Sequence, residues 1–278
     1  MLPRRFVKMA GGGNDFLVFE SDGRLVLEDD RRLLALACRR GLSVGADGAL
    51  FVSPGELGRV RLVYYNADGS LASFCANGTR CAARYAFTRQ LARAGAGEDL
   101  TLETGWGEIA AHVRGRQVTL DLPDVPAPGE PVEIVSAGLP EKAYPISVGV
   151  PHLVVFVERG LSTLPVESLG PALRRHPKLP EGANVNFVEV TNEHSLAVRT
   201  FERGVEAETL ACGSGVVASA IVAANIQRAA PPIACRTRSG VAFTVRFETE
   251  GRLFTRVTLA GDAREIYSGE LTEEAFQP

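Results

Sequence analysis

Stretches in which apolar and polar positions alternate recur throughout this chain, at 5–9, 15–20, 59–66, 99–104, 117–122, 152–158, 186–191, 195–201, 241–248 and 254–259. A period of two sends successive side chains to opposite faces of an extended backbone, and these stretches are rich in β-branched and aromatic residues. Each therefore predicts a strand, many of them half buried. Helical spacing is rarer. Residues 29–40 put Leu33, Leu34, Leu36 and Ala37 on one side of a short amphipathic helix, and 166–175 form a weaker one. Two further helices, predicted over 79–92 and 215–228, each begin just after a cysteine and a glycine-containing turn. The second is apolar nearly all round, as a helix wrapped by sheet must be.

The stretch 122–131, Leu-Pro-Asp-Val-Pro-Ala-Pro-Gly-Glu-Pro, is the most loop-like part of the middle of the chain and the natural domain boundary. It divides the sequence into an N-terminal domain, 1–121 completed by 262–278, and a C-terminal domain, 122–261. Each half then holds several strands and one cysteine-led helix. Cys75 opens Cys-Ala-Asn-Gly-Thr-Arg-Cys-Ala-Ala, and Cys212 opens Cys-Gly-Ser-Gly-Val-Val-Ala-Ser-Ala. A cysteine, a small polar turn and an alanine-rich helix in both halves predict a weak internal duplication.

Charge removes several functions from consideration. The 278 residues carry 30 basic and 33 acidic side chains, a net charge of −3. No basic cluster marks a nucleic-acid or anionic-membrane partner. The uncharged run 209–227 has the length of a membrane span, but Gly213, Ser214, Gly215, Ser219 and Asn225 interrupt it, so it reads as a buried helix. The basic residues near the N-terminus have no apolar core behind them, and a cytoplasmic protein is expected. Cys38, Cys75, Cys81, Cys212 and Cys235 are odd in number and widely scattered, which fits free thiols and neither a disulfide framework nor a metal site. The glycines at 11–13 lack the Lys-Ser/Thr of a phosphate loop and suit a tight turn that exposes Asn14.

Two of the thiols are placed for chemistry. A cysteine at a helix N-terminus sits among unpaired N–H groups and the positive end of the helix dipole, which favour its thiolate. The amides of Ala76, Asn77, Gly213 and Ser214 then form an anion cradle suited to a carboxylate. Two such devices on one substrate would let one thiolate remove an α-proton while the opposite thiol delivers one to the other face. The helix ends would stabilise the enediolate-like charge that develops. Cys38, Cys81 and Cys235 lack that context and read as packing residues.

The residues that carry these features resemble the diaminopimelate epimerase family. The motifs, in order, are Lys8-Met-Ala-Gly-Gly-Gly-Asn-Asp-Phe16, Gly45-Ala-Asp-Gly48, Asn66-Ala-Asp-Gly-Ser70, Cys75-Ala-Asn-Gly-Thr-Arg-Cys81, Gly149-Val-Pro-His152, Asn184-Val-Asn-Phe187, Glu202-Arg-Gly204 and Glu208-Thr-Leu-Ala-Cys-Gly-Ser-Gly215. The resemblance implies an α/β (α+β) fold of two pseudo-symmetric domains, each a mixed sheet wrapped around a central helix, with the active site in the cleft between them. It implies a homodimer that interconverts LL- and meso-diaminopimelate without pyridoxal phosphate, metal or other cofactor. By position, Cys75 and Cys212 match the catalytic pair. Asn14, Asn66, Asn184, Glu202 and Arg203 match substrate-binding residues, as do the amides of Ala76, Asn77, Gly213 and Ser214. His152 and Glu202 match residues that tune the thiols.

The chain departs from the commonest pattern at Ala10, Ala76 and Val150, where the family often has His, Gly and Asn. The last substitution removes a side-chain hydrogen bond toward the distal end of the substrate. A related cofactor-independent amino-acid racemase, of the histidine racemase kind, is the nearest alternative reading. A non-catalytic amino-acid-binding protein is a third, and it would need the amides but not the thiols.

Overall fold

The computed structural model describes residues 2–22, 27–56, 59–92, 99–134 and 140–277. The chain divides into two compact units, Met1–Leu120 with Gly261–Pro278, and Asp121–Ala260.

In the first unit, strands Arg5–Gly11 and Asn14–Glu20 pair antiparallel through a turn in which Gly12 and Gly13 have φ of 64° and 112°. Positive φ costs glycine little, so the chain reverses here and leaves Asn14 at the tip. Asn14–Glu20 then runs parallel to Gly48–Pro54, which pairs antiparallel with Val60–Asn66. That strand pairs antiparallel with Leu71–Ala72 and parallel with Asp99–Thr104. Antiparallel pairings to Gly107–Arg114 and Gln117–Asp121 continue the sheet. Helix α1, Glu28–Ala37, lies in the first parallel crossover and α2, Ala76–Thr88, in the second.

The second unit repeats this order step for step. Lys142–Val148 and Val150–Phe156 are antiparallel, the latter is parallel to Asn184–Asn192, and that strand is antiparallel to Ser195–Glu202. Ser195–Glu202 pairs antiparallel with Ala207–Thr209 and parallel with Ile233–Arg236. Ala242–Glu250 and Leu253–Asp262 follow antiparallel. Helix α3, Val166–Arg174, and α4, Gly213–Asn225, fill the two crossovers. The internal duplication is thus visible in the strand pairings themselves.

Alternation assigns the two faces of each sheet. In the second unit Leu153, Val155, Val185, Phe187 and Phe201 pack against Val166 and Leu173 of α3. His152, Asn186 and Thr200 occupy the alternate positions, on the opposite face, and α4 packs on these strands. In the first unit Leu17, Phe19, Ala49, Phe51 and Tyr65 pack with Leu34 and Ala37 of α1, while Gly78 of α2 approaches Phe16 and Leu50. Val216, Val217, Ile221 and Val222 of α4 are all fully buried. Each such side chain stabilises the fold by about 1.5–3 kcal/mol, so a helix with no polar face is required.

The strands expected from alternation all form, some shifted by up to three residues at their ends. Others carry no such signal. Gly48–Pro54 is apolar almost throughout because both its faces are buried, Lys142–Val148 contains Pro145, and Arg264–Glu270 is exposed along nearly its whole length. The two cysteine-led helices begin at residues 76 and 213, directly after each cysteine, rather than at 79 and 215. Within 122–131, Val125–Pro126 forms a short strand against Leu253 and Phe254. Among the described residues no helix is long and apolar enough to cross a membrane.

Candidate active site

Cys75 and Cys212 are the N-cap residues of α2 and α4. Their backbones are extended, at φ −147°, ψ 113° and φ −117°, ψ 113°, and neither side chain caps its own helix. The first intrahelical bonds are Thr79 N–H to Cys75 O, 2.8 Å, and Val216 N–H to Cys212 O, 2.9 Å. The amides of Ala76 and Asn77, and of Gly213 and Ser214, therefore precede any intrahelical acceptor and aim along the helix axis. Small residues at these positions let an anion approach the backbone closely.

In the first unit a chain of hydrogen bonds leads to this helix end. Asn14 Nδ2 donates to Asp47 Oδ2 at 2.9 Å, Asn77 Nδ2 donates to Asn14 Oδ1 at 2.7 Å, and Arg80 donates to Asn77 Oδ1. Asp47 accepts only and Arg80 donates only, so the two ends fix both amides in one orientation. Asp47 also accepts from Arg40 at 2.7 Å, and Asp15 is bridged by Arg40 and, at 2.6 Å, by the buried Lys8. Burial raises the Asp15 pKa, but hydrogen bonds from Arg40 and Lys8 outweigh it and hold the carboxyl below its ordinary value. Arg80 is completely buried beneath the first turn of α2. Asn66 bonds within its own turn, Nδ2 to Ser70 Oγ at 3.0 Å.

In the second unit the helix end is joined to the sheet. His152 Nε2 lies 3.0 Å from Ser214 Oγ, and Ser214 Oγ lies 3.5 Å from Cys212 Sγ. His152 Nδ1 faces Asn186 Nδ2 at 3.1 Å, and Thr200 Oγ1 donates to Asn186 Oδ1 at 2.9 Å. Burial, reinforced by the positive charge of Arg203, pushes the His152 pKa down to about 3, so the ring is neutral at physiological pH. Asn184 Oδ1 accepts from the Arg203 N–H at 2.8 Å, and Glu202 Oε1 accepts from Thr209 Oγ1 at 2.5 Å. Arg203 reaches back to Glu181 O at 2.9 Å.

The remaining thiols sit in a different chemistry. Burial pushes Cys38 up to about 11 and Cys81 and Cys235 up to about 12, which suppresses their thiolates. Of the residues expected to bind or react, the structure joins Asn14 to Asn77 in one unit. In the other it joins His152, Ser214 and Cys212, with Asn184, Glu202 and Arg203 at neighbouring strand ends. Asp47, Arg80, Asn186 and Thr200 complete these networks and were not singled out from the sequence. Asn186 carried a signal, since it stands two residues from Asn184 and shares its face.

The diaminopimelate epimerase family model matches residues 6–123 and 144–259. The chain belongs to the diaminopimelate epimerase family. It is 35% identical to the diaminopimelate epimerase of Hydrogenobaculum sp. (strain Y04AAS1) over 97% of this chain and 99% of that protein. The enzyme of the same name from Archaeoglobus fulgidus is 38% identical over 96% and 95%. The epimerase family's fold extends further in structure than in sequence. A probable proline racemase from Agrobacterium radiobacter K84 superposes with a TM-score of 0.74 at 15% identity, covering 99% of this chain and 94% of that one. A PhzF-family phenazine biosynthesis protein from Bacillus anthracis gives 0.70 at 16% identity, covering 98% and 100%. These two share the fold.

Proposed function

We propose that this protein is a cofactor-independent epimerase that interconverts LL- and meso-diaminopimelate for lysine and peptidoglycan precursor synthesis. The observation that carries the reading is the pair of helix N-cap cysteines, Cys75 and Cys212, each standing over outward amides in the same place of a duplicated unit. Near-full-length similarity to diaminopimelate epimerases supports the substrate.

In this mechanism the α-carboxylate rests on the amides of Ala76, Asn77, Gly213 and Ser214. One cysteine thiolate takes the α-proton and the thiol of the other cysteine protonates the opposite face, the roles exchanging in reverse. The helix N-termini stabilise charge that develops on the carboxylate only as the C–H bond breaks. Asn14, Asn66, Asn184, Glu202 and Arg203 hold the substrate's ammonium and carboxylate groups, with the Arg203 fork suited to the distal carboxylate. His152 and Glu202 tune the thiols. The enzyme works in the cytoplasm as a homodimer. Exposed Ile266 and Tyr267 on Arg264–Glu270 offer an apolar surface for a second copy.

One observation favours a second reading. Val150, 36% exposed beside Gly149, stands where the family often has Asn, and it presents no hydrogen-bonding group. A racemase acting on a different amino acid would tolerate that change. Incubating the reduced protein separately with LL-diaminopimelate and L-histidine, followed by chiral chromatography, separates the readings. Formation of meso-diaminopimelate supports the epimerase, racemised histidine alone supports the second reading, and binding without conversion contradicts both.

A further inference from the structure

Three adjacent strands of the second unit place His152, Asn186 and Thr200 on the face that carries α4, and Asn186 and Thr200 are direct cross-strand partners. All three side chains are buried, His152 and Asn186 completely. We propose that Asn186 and Thr200 are positioning residues for the Cys212 thiol. Together they fix His152 as its Nε2–H tautomer, so that Ser214 turns its hydroxyl hydrogen toward Cys212 Sγ.

The direction follows link by link. The Thr200 hydroxyl donates to Asn186 Oδ1, 2.9 Å, which occupies the carbonyl end of the amide. The NH₂ end then faces His152 Nδ1 at 3.1 Å, and that nitrogen must accept. A neutral imidazole carries its one hydrogen on the other nitrogen, so Nε2–H donates to Ser214 Oγ at 3.0 Å. With one of its lone pairs engaged by the ring, the serine hydroxyl keeps its hydrogen to donate onward to the sulfur 3.5 Å away. Every donor in the line points toward Cys212, an arrangement that favours a thiolate there. Gly215 belongs to the same device, because a Cβ at that position would overlap the Asn186 amide oxygen.

The first unit shows that this line is not imposed by the fold. At the corresponding sheet positions it carries Phe16, Leu50 and Tyr64, with Asn77 two residues after its cysteine. The same topology is therefore filled with apolar contacts under Cys75 and with a polar relay under Cys212. The positive charge of Arg203 acts on the His152 ring and favours its neutral form.

The inference rests on the reading of Cys212 as an acid–base group, but its test uses no substrate. Long-range ¹H–¹⁵N NMR of the imidazoles, with His152 assigned by its loss in His152→Gln, reports which ring nitrogen carries hydrogen. The expected result is hydrogen on Nε2 in the native protein and in Thr200→Ser. In Asn186→Asp the carboxylate accepts instead of donating, and the hydrogen moves to Nδ1. Competitive iodoacetamide labelling then gives the ratio of Cys212 to Cys75 modification within one molecule. That ratio is expected to fall about tenfold in Asn186→Asp and in Ser214→Ala, the equivalent of one pKa unit. Hydrogen on Nδ1 of the native ring, or an unchanged labelling ratio in Ser214→Ala, overturns the proposal whether or not the strand variants fold. Absence of epimerisation alongside the expected tautomer would instead fault the proposed activity and leave the relay standing.

Discussion

Cys38, Cys81 and Cys235 differ from Cys75 in access. Cys81 and Cys235 are fully buried with pKa values pushed from 9.0 to about 12, which lowers their thiolate fraction near neutral pH by about a thousandfold. Cys75 is only half-buried. Brief iodoacetamide treatment at pH 8 is therefore expected to label Cys75 while sparing these three thiols until the protein is unfolded, as read by peptide mass spectrometry. His152 couples stability to pH. Its folded pKa of about 3 lies below its unfolded value of 6.5, so below pH 6.5 the unfolded chain binds a proton that the native ring refuses. Stability then falls by about 1.4 kcal/mol per pH unit as the solution is acidified from 6.5 toward 3. A pH series of urea unfolding midpoints is expected to show a shallower acid loss in His152→Gln. The Glu208 carboxylate, 1% exposed, is bound by Arg199 at 2.6 Å and by Arg238. Glu208→Ala leaves the partly buried Arg199 guanidinium without that partner and is expected to cost about 3–5 kcal/mol in a denaturant titration.

The N-terminus of α4 is held closely against the sheet. A Cβ on Gly215 would overlap Asn186, which itself bonds Thr200 and His152, so Gly215→Ala is expected to destabilise by about 1–3 kcal/mol. A lower thermal midpoint checks this. The same region shows what was legible in the chain. Both cysteine-led helices could be read because small polar turns followed by alanine-rich runs signal a helix start, and α4's all-round apolarity signalled burial. Most strands with one buried face were legible through alternation, Gly107–Arg114 being an exception. Gly48–Pro54 was not, because burial on both faces erases the period, and Arg264–Glu270 was not, because exposure on both faces erases it equally. Asn186 lay inside a quoted motif on the Asn184 face, but its role and that of Thr200 were not legible, since a buried polar residue on a strand looks like a solvated one until its partners on two other strands are known. Asp47 and Arg80 lay inside quoted motifs, yet their roles depend on Asn14 and Asn77 being brought together.

At the scale of the whole molecule, the first unit is discontinuous. Its strand Arg5–Gly11 pairs with Arg264–Glu270, Gly12 N–H is held by Asp262 Oδ1 at 2.9 Å, and Arg84 donates to Ala263 O at 2.5 Å. A chain ending at residue 260 is expected to lose amide hydrogen-exchange protection in the strands 5–11 and 14–20 while keeping it in Asn184–Asn192 and Ser195–Glu202. Equal loss in both units would contradict the division at 120 and 261. In the proposed mechanism two thiols share one proton transfer. The most direct test follows LL-diaminopimelate in D₂O at low conversion by NMR and mass spectrometry. In a two-base reaction the donating thiol carries a solvent hydrogen, and the accepting thiol returns the substrate's own when the reaction reverses. The expected result is one deuterium at the inverted α-carbon of newly formed meso-diaminopimelate, protium in the recovered LL isomer, and loss of this conversion in both Cys75→Ser and Cys212→Ser. Meso product that keeps the substrate's hydrogen, or full conversion by either serine variant, would contradict it.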